Sequence, residues 1–362
     1  MDSGGIAHAF NMLVPRLEAK GYEIHVIVPY LSDIQHLCIP LRYVKGYIWK
    51  YKINNKWLRR AVNLMNWVSG WRLYFAFAKR FPHDIFVVYA ANMMPWWVVY
   101  SNKPVIGWLH GIWSLRTNTF MGPFFRKWVN SLCKRYSRLI SVSKSTATEW
   151  EREFNLCTRP TVIPNIVEVS EILGQSDESP SLMVKSSVPI FLTVGRLSQE
   201  KGQLRLIDVY GRLKKEGYVF SAYFIGKGGL DTQCQARIDS LGLSQIVHML
   251  GEIKNPYPYM EASDLLIVPS FNEGRSCVIT EALTLGTPIL STDCGGPHEL
   301  LKNGKWGRLV ENSSEGLYAG IKEFLEYPAQ AVPKVDRAIV RKEYDLADNE
   351  AVARICAVFD EF

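Results

Sequence analysis

Five short apolar runs, at residues 190–194, 221–225, 247–250, 265–268 and 288–291, alternate with stretches whose apolar residues recur at helical spacing. No other feature of the chain limits its fold as tightly. Runs of four or five residues with almost no polar alternation read as strands covered on both faces. Parallel strands also need long crossovers, which the intervening helices at 198–215, 231–242 and about 275–285 supply. The second half therefore predicts a parallel α/β sheet wrapped by helices. The same rhythm, less regular, precedes it, with strands expected at 24–28, 85–89, 105–109 and 139–142 and helices at 8–20, 57–80 and 122–136. The last of these is amphipathic, with Phe125, Val129, Leu132 and Tyr136 on one face and Lys127, Lys134 and Arg138 opposite.

The rhythm lapses in a Ser-, Glu- and Asp-rich stretch, so the chain divides into a domain at 1–168, a linker region at 169–187, a domain at 188–345 and a last helical segment at 346–362. A length of 362 residues gives each domain a core of ordinary size, and 48% hydrophobic with 21% charged residues excludes a disordered chain. Seven scattered cysteines form no Cys-x-x-Cys pair, which argues against a disulfide framework or zinc site and makes a reducing, cytoplasmic setting the default. No basic segment followed by an apolar run opens the chain. The long uncharged run at 85–102 is interrupted by Asn92 and Pro95 and reads as a buried strand and a short helix, not as a membrane span.

The segment from Ser270 to Pro297 carries most of the chemistry. It reads as a loop with Glu273 and Gly274, a helix from about Arg275, a Gly286 stop and a second buried strand ending at Gly295-Gly296. One carboxylate stands at the mouth of the helix and Glu281 stands about two turns along it. Glu281 lies in the otherwise apolar run Val278-Ile279-Thr280-Glu281-Ala282-Leu283, and a carboxylate there requires partners. The backbone N–H groups of the helix start form an anion site, so a ligand bearing both hydroxyls and a diphosphate fits the arrangement. In the loop Gly195-Arg196-Leu197-Ser198-Gln199-Glu200-Lys201-Gly202, two cations sit at a helix start, a position that opposes the helix dipole unless an anion binds.

In order along the chain, Ser3-Gly4-Gly5, His110-Gly111, Ser141-Val142-Ser143, the 162–165 segment, the Arg196 to Gly202 loop, Ile225-Gly226-Lys227-Gly228, the 247–251 and 255–259 segments, Ala262-Ser263-Asp264 and the Glu273/Glu281 segment resemble the motifs of retaining GT-B glycosyltransferases, above all glycosyltransferase family 4. The resemblance implies an α/β fold of GT-B type, two Rossmann-like doubly wound domains facing a cleft, with the C-terminal segment packing back across the hinge. It implies that Arg196 and Lys201 hold the donor diphosphate, that Glu281 accepts from both ribose hydroxyls and that Glu273 grips the donor sugar near its anomeric carbon. Gly226, Gly228, Gly251 and Gly274, with Arg275 and Ser276, complete the donor site. Gly4, Gly5 and His110 line the acceptor side in the N-terminal domain, and Glu273, His110, Arg196 and Lys201 form the catalytic set. No metal or other cofactor is expected, since Arg196, Lys201 and a helix dipole neutralise the phosphates. The family opens with a strand ahead of its Gly-Gly loop, for which Met1 leaves no room. An N-terminally truncated reading of a longer protein is the expectation, and a differently closed sheet the alternative.

Net charge is +7, but residues 42–144 alone hold 18 Lys or Arg against Asp84, a balance of +17, and ten of the eleven tryptophans precede residue 151. That mixture suggests an anionic, lipid-linked glycan acceptor and an anionic membrane surface at the inner face of the plasma membrane, against the alternative of a solvated basic face over a tryptophan-rich core. No nucleic-acid motif accompanies the charge. The expected reaction is transfer of a hexose or N-acetylhexosamine from a nucleoside diphosphate, UDP foremost, in capsule, O-antigen or exopolysaccharide synthesis. A sugar-nucleotide epimerase of the same fold and a catalytically silent scaffold of the assembly machinery stay open as alternatives.

Overall fold

The computed structural model describes residues 5–30, 44–48, 84–89, 96–111, 122–180 and 187–362. The chain forms two compact units, Met1–Ile166 with Asn349–Phe362, and Val167–Asp348.

In the first unit α1 (Gly5–Glu18) precedes a parallel pair, β1 (Val26–Tyr30) and β2 (Val44–Ile48). A second, four-stranded parallel sheet holds β3 (Phe86–Val88), β4 (Val105–Leu109), β5 (Arg138–Ser141) and β6 (Thr161–Val162) in that order. Helices α2 (Gly122–Cys133) and α3 (Lys144–Phe154) flank β5 in sequence. α3 begins where Ser143 accepts the Thr146 N–H and ends at Asn155 in the left-handed conformation. The 85–102 run contains strand β3 and a 3-10 turn, Trp96–Tyr100. Among the described residues no helix is long and apolar enough to cross a membrane. Of the face expected on α2, Val129, Leu132 and Tyr136 are buried. The helix expected at 57–80 and Gly4 lie outside the described residues.

The second unit runs α4 (Val169–Ser176), β7 (Ile190–Val194), α5 (Gln203–Lys215), β8 (Ser221–Ile225), α6 (Asp231–Ser240), β9 (Val247–Gly251), α7 (Tyr257–Glu261), β10 (Leu265–Val268), α8 (Cys277–Leu285), β11 (Ile289–Thr292), α9 (Gly296–Leu300), β12 (Arg308–Val310), α10 (Ser314–Glu326), α11 (Pro328–Ala331) and α12 (Arg337–Phe359). Its six strands are parallel, in the order β12-β11-β10-β7-β8-β9. Side-chain alternation feeds two cores: Phe191, Ala222, Phe224, Leu265, Ile267 and Leu290 face one layer. Ile190, Leu192, Tyr223, Ile225, Leu266, Val268 and Ile289 face the other. Burial on both faces explains why these strands read as unbroken apolar runs, and each fully buried aliphatic or phenyl side chain contributes about 1.5–3 kcal/mol.

Among the boundaries that differ from the sequence expectation, three change the layout of the chain. Much of the 169–187 linker region is helix α4, because Val169 and Ile172 fall at helical spacing and enter the core beside Leu283 and Met260, a pattern masked by the acidic and serine residues around them. The units therefore part at Ile166/Val167. The last helix starts at Arg337 rather than near 346, since no Gly or Pro interrupts the sequence there, and its residues from Asn349 onward belong to the first unit. There Ala351, Val352, Ile355 and Phe359 pack with Phe10, Leu13 and Leu17 of α1. The single helix expected at 198–215 is broken by Gly202, whose φ of 72° ends a 3-10 turn, Gln199–Lys201, before α5 begins.

Sheet order places the site. The chain leaves β7 toward β8 and β9, then returns to β7's other side at β10 and continues outward to β12. Loops after β7 and β10 thus diverge at the point where strand order reverses, the place where open parallel sheets bind ligands.

Candidate functional site

Two loops from this switch point carry opposite charges into contact. Lys201, at the end of the 3-10 turn after β7, sets its Nζ 2.5 Å from Glu273 Oε1 in the loop after β10. Glu273 is 8% exposed and also accepts from Ser270 Oγ at 2.8 Å. Its backbone pairs with the neighbouring strand end: Gly296 N–H donates to Glu273 O at 2.9 Å, so the glycine-rich turn after β11 backs the same loop. Arg196, on the same loop as Lys201, contacts a different carboxylate. Its Nη2 donates to Glu200 Oε1 at 3.1 Å, with both side chains about half exposed. Burial pushes the Glu200 carboxyl up, but Ser198, its own backbone N–H, Arg196 and Lys201 outweigh it and hold the group below the usual carboxylate range.

Helix α8 begins at Cys277 rather than Arg275, with Ser276 extended at the cap (φ −85°, ψ 110°) and making no side-chain cap hydrogen bond. No acidic residue occupies its first turn, so the dipole there lacks the usual side-chain anion. Arg275 just precedes it, half-buried, and burial lowers its pKa against the opposing pull of Tyr344, Cys277, Glu299 and Asp348. Glu281 lies on α8 at 8% exposure, and burial pushes its carboxyl up to about 7. The neighbouring Tyr257 phenol is raised by burial and then by the Glu281 charge.

The glycines expected to let a nucleotide approach the backbone have a reason inside the fold. A Cβ on Gly226 would fall 2.0 Å from Gly195 O, and one on Gly228 would fall 2.1 Å from Leu197 O. The loops after β7 and β8 thus lie in direct backbone contact, and Gly226 N–H continues the stack by donating to Gly251 O at 2.7 Å. Gly274 meets the turn after β11 in the same way, its carbonyl 2.4 Å from where a Gly296 Cβ would stand.

His110 directly follows β4 in the first unit. Its ring lies against Tyr89 (centroids 4.5 Å apart) and parallel to Trp108 at 6.2 Å. Burial lowers its pKa to about 3 against a hydrogen bond to the Tyr89 backbone, so the ring is neutral across the physiological range. Nε2 is buried with no partner among the described residues. With the other nitrogen bonded to Tyr89, this one is the acceptor and can take a hydroxyl proton. Trp150 Nε1 donates to Gly111 O at 2.8 Å and pins the turn that follows. Gly5 starts α1 in the same unit.

Sequence reading missed the residues that brace the Glu273 loop: Ser270, Arg205 and Asn312. Arg205 sits between Leu204 and Leu206, and a charge inside an apolar run is the same signal that singled out Glu281.

Residues 3–171 match the Glycosyltransferase Family 4 model and residues 175–341 match Glycosyl transferases group 1. The chain belongs to the glycosyltransferases of the family 4 type. Its curated relatives include the N-acetylgalactosamine-N,N'-diacetylbacillosaminyl-diphospho-undecaprenol 4-alpha-N-acetylgalactosaminyltransferase of Campylobacter jejuni, 28% identical over 55% of this chain and 53% of that protein. The lipopolysaccharide 1,6-galactosyltransferase of Salmonella typhimurium is 33% identical over 41% of each chain. The chain spans about half the length, or less, of the curated relatives it matches. Among solved structures, Alr3699/HepE of Anabaena in complex with UDP-glucose superposes with a TM-score of 0.73 at 19% identity, over 98% of this chain and 96% of that one. At that identity the fold is what is shared: the family 4 glycosyltransferase has the GT-B architecture of two parallel-sheet α/β units.

Proposed function

We propose that this family 4 glycosyltransferase is a retaining enzyme that moves a hexose or N-acetylhexosamine from UDP to a lipid-linked glycan in cell-surface polysaccharide synthesis. The observation that carries the reading is the meeting of Lys201 and Glu273 beside the uncapped start of α8. A buried carboxylate beside an ammonium offers a sugar-hydroxyl acceptor and a phosphate ligand within one hydrogen-bond length. The helix start adds N–H donors for the diphosphate, and Glu281 farther along α8 accepts from a ribose. Arg196 reaches the phosphates by releasing Glu200, a solvent-exposed pair that contributes about 0.3–0.5 kcal/mol at most. In this reading charge leaving the anomeric carbon is stabilised by Lys201, Arg196 and the helix dipole, with no metal ion required. His110 binds a sugar hydroxyl as a neutral acceptor, and Gly5 at the start of α1 belongs to the acceptor side.

Support for UDP comes from Alr3699/HepE, solved with UDP-glucose, and support for a lipid-linked acceptor from the diphospho-undecaprenol named for the Campylobacter relative. A membrane surface fits the exposed Lys127, Trp128, Lys134 and Arg135 around α2, in a stretch from 85 to 148 that contains no acidic residue. The enzyme then works at the inner face of the plasma membrane as a peripheral protein. A panel of nucleotide sugars tested for thermal stabilisation decides the donor: uridine donors raise the melting temperature most, and a win for adenine or guanine donors replaces UDP.

A further inference from the structure

The geometry points to Arg205 as a positioning residue that sets the register of Glu273 against Lys201, an inference that rests on the donor-site reading above. Arg205 lies in the first turns of α5, four residues after Lys201, and is 8% exposed. Its Nε and Nη2 donate to Pro269 O at 3.0 and 2.6 Å, and Nη2 also reaches Ser270 O at 2.8 Å and Asn312 Oδ1 at 2.8 Å. The guanidinium plane stacks on the Phe271 ring, 3.7 Å from its centroid. Every one of these acceptors is a carbonyl oxygen, and no carboxylate pairs with the group among the described residues.

A buried cation without a counter-ion is costly, and its pKa is lowered by that burial. Such a group persists where its geometry is needed. A guanidinium is also the side chain that fits several carbonyl oxygens in one plane, which lysine cannot imitate. What it holds is the three-residue root of the catalytic loop. Pro269 and Ser270 end the β10 run, Ser270 Oγ then bonds Glu273, and Asn312 Nδ2 closes the far side on Phe271 O at 2.9 Å. From the Lys201 side, Gly202 presses on the same carbonyl: a Cβ there would stand 2.0 Å from Pro269 O. Phe271 N–H in turn donates to Glu200 O at 2.8 Å. The loops after β7 and β10 are thereby locked around one carbonyl oxygen, Pro269 O, against which Arg205 and Gly202 pack side by side. Arg205 touches no ligand in this arrangement. It acts by fixing where the Glu273 carboxylate stands.

The test is Arg205→Lys in the full chain, with Asn312→Ala as a milder second variant, titrated with UDP and assayed for turnover of UDP-glucose. Arg205→Lys should keep UDP affinity within about threefold of wild type and lower kcat by about tenfold or more, because misplacing a sugar-binding group penalises the reacting geometry more than nucleotide binding. Asn312→Ala should move in the same direction by less. Crystal structures of both variants should show Glu273 Oε1 withdrawn from Lys201 Nζ or Ser270 Oγ. A kcat within about twofold of wild type, or UDP affinity and kcat falling together with the melting temperature, overturns the inference. If the wild-type chain neither binds UDP nor turns over UDP-glucose, the donor reading fails instead. The crystal structures then still decide the clamp, since an unmoved Glu273 in Arg205→Lys refutes it regardless of ligand.

Discussion

Glu273 and Glu281 stand eight residues apart at the same 8% exposure, yet their surroundings differ in kind. The loop around Glu273 supplies an ammonium and a hydroxyl, so the protein itself holds the negative charge. Glu281 stands on helix α8 near the Tyr257 phenol, and burial lifts its carboxyl to about 7. The contrast separates two ways of preparing an acceptor. One sits in an ion pair with a lysine of the neighbouring loop; burial shifts the other toward its neutral form.

The largest effect tests the first member of the pair. Glu273→Ala and Lys201→Ala should each reduce sugar transfer by about 10²–10³-fold, as expected for losing one group that stabilises developing charge. The double variant should lose much less than the product, because each single change already breaks their shared contact. Steady-state turnover of a nucleotide sugar decides both; additive losses would show that the two groups act separately.

Glu281 is the sharper test of the contrast. Its folded pKa of about 7 exceeds the ordinary 4.5, so the folded chain holds the extra proton across that window. The Glu281 contribution to stability should therefore fall by about 3 kcal/mol as pH rises from about 4.5 to 7 and level off above it, opposed below about pH 6.5 by His110, whose folded pKa of about 3 lies under its ordinary value. Glu281→Gln removes this slope and should make the ligand-free protein more stable than wild type at pH 8 in denaturant titration. An unchanged or lower stability there would place Glu281 in the same class as Glu273.

Ligand binding should show the same group from the other side. If ionised Glu281 is what accepts the ribose hydroxyls, the dissociation constant for UDP should rise about tenfold between pH 8 and pH 6. Glu281→Gln should bind more weakly and lose that slope in calorimetric titration. His110 contributes no inflection in this range, since its pKa lies at about 3. Ser270→Ala should have the smallest effect, removing one hydrogen bond to Glu273 Oε1 worth about 1 kcal/mol and leaving the pH profile unchanged.

Much of this was legible in the chain. Strands β7, β8 and β10 fall where their apolar runs predict, because burial on both faces leaves a signal that needs no partner to be read. The glutamates and Lys201 were legible for the opposite reason, as charges placed where a helix start or an apolar run does not tolerate them unaided. Helix α4 was hidden because only three of its residues, Val169, Ile172 and Leu173, face the core while its polar ones resemble a linker. Arg196, expected to hold the diphosphate, makes a local i, i+4 contact with Glu200 that competes with such an anion and that loop residues give no periodicity to announce. Arg205 stood out as a charge between leucines, but its partners did not, because they are carbonyl oxygens that no residue letter announces.

The strand order of the second unit has a practical consequence. Charge pairing occurs at the central strands β7 and β10, whereas β8 and β9 form an excursion that leaves β7 and returns before β10 begins. Residues 221–251 still reach the loop that carries the ionic centre, because Gly226 and Gly228 abut the backbone of Gly195 and Leu197, so a side chain added at either glycine is felt one loop away.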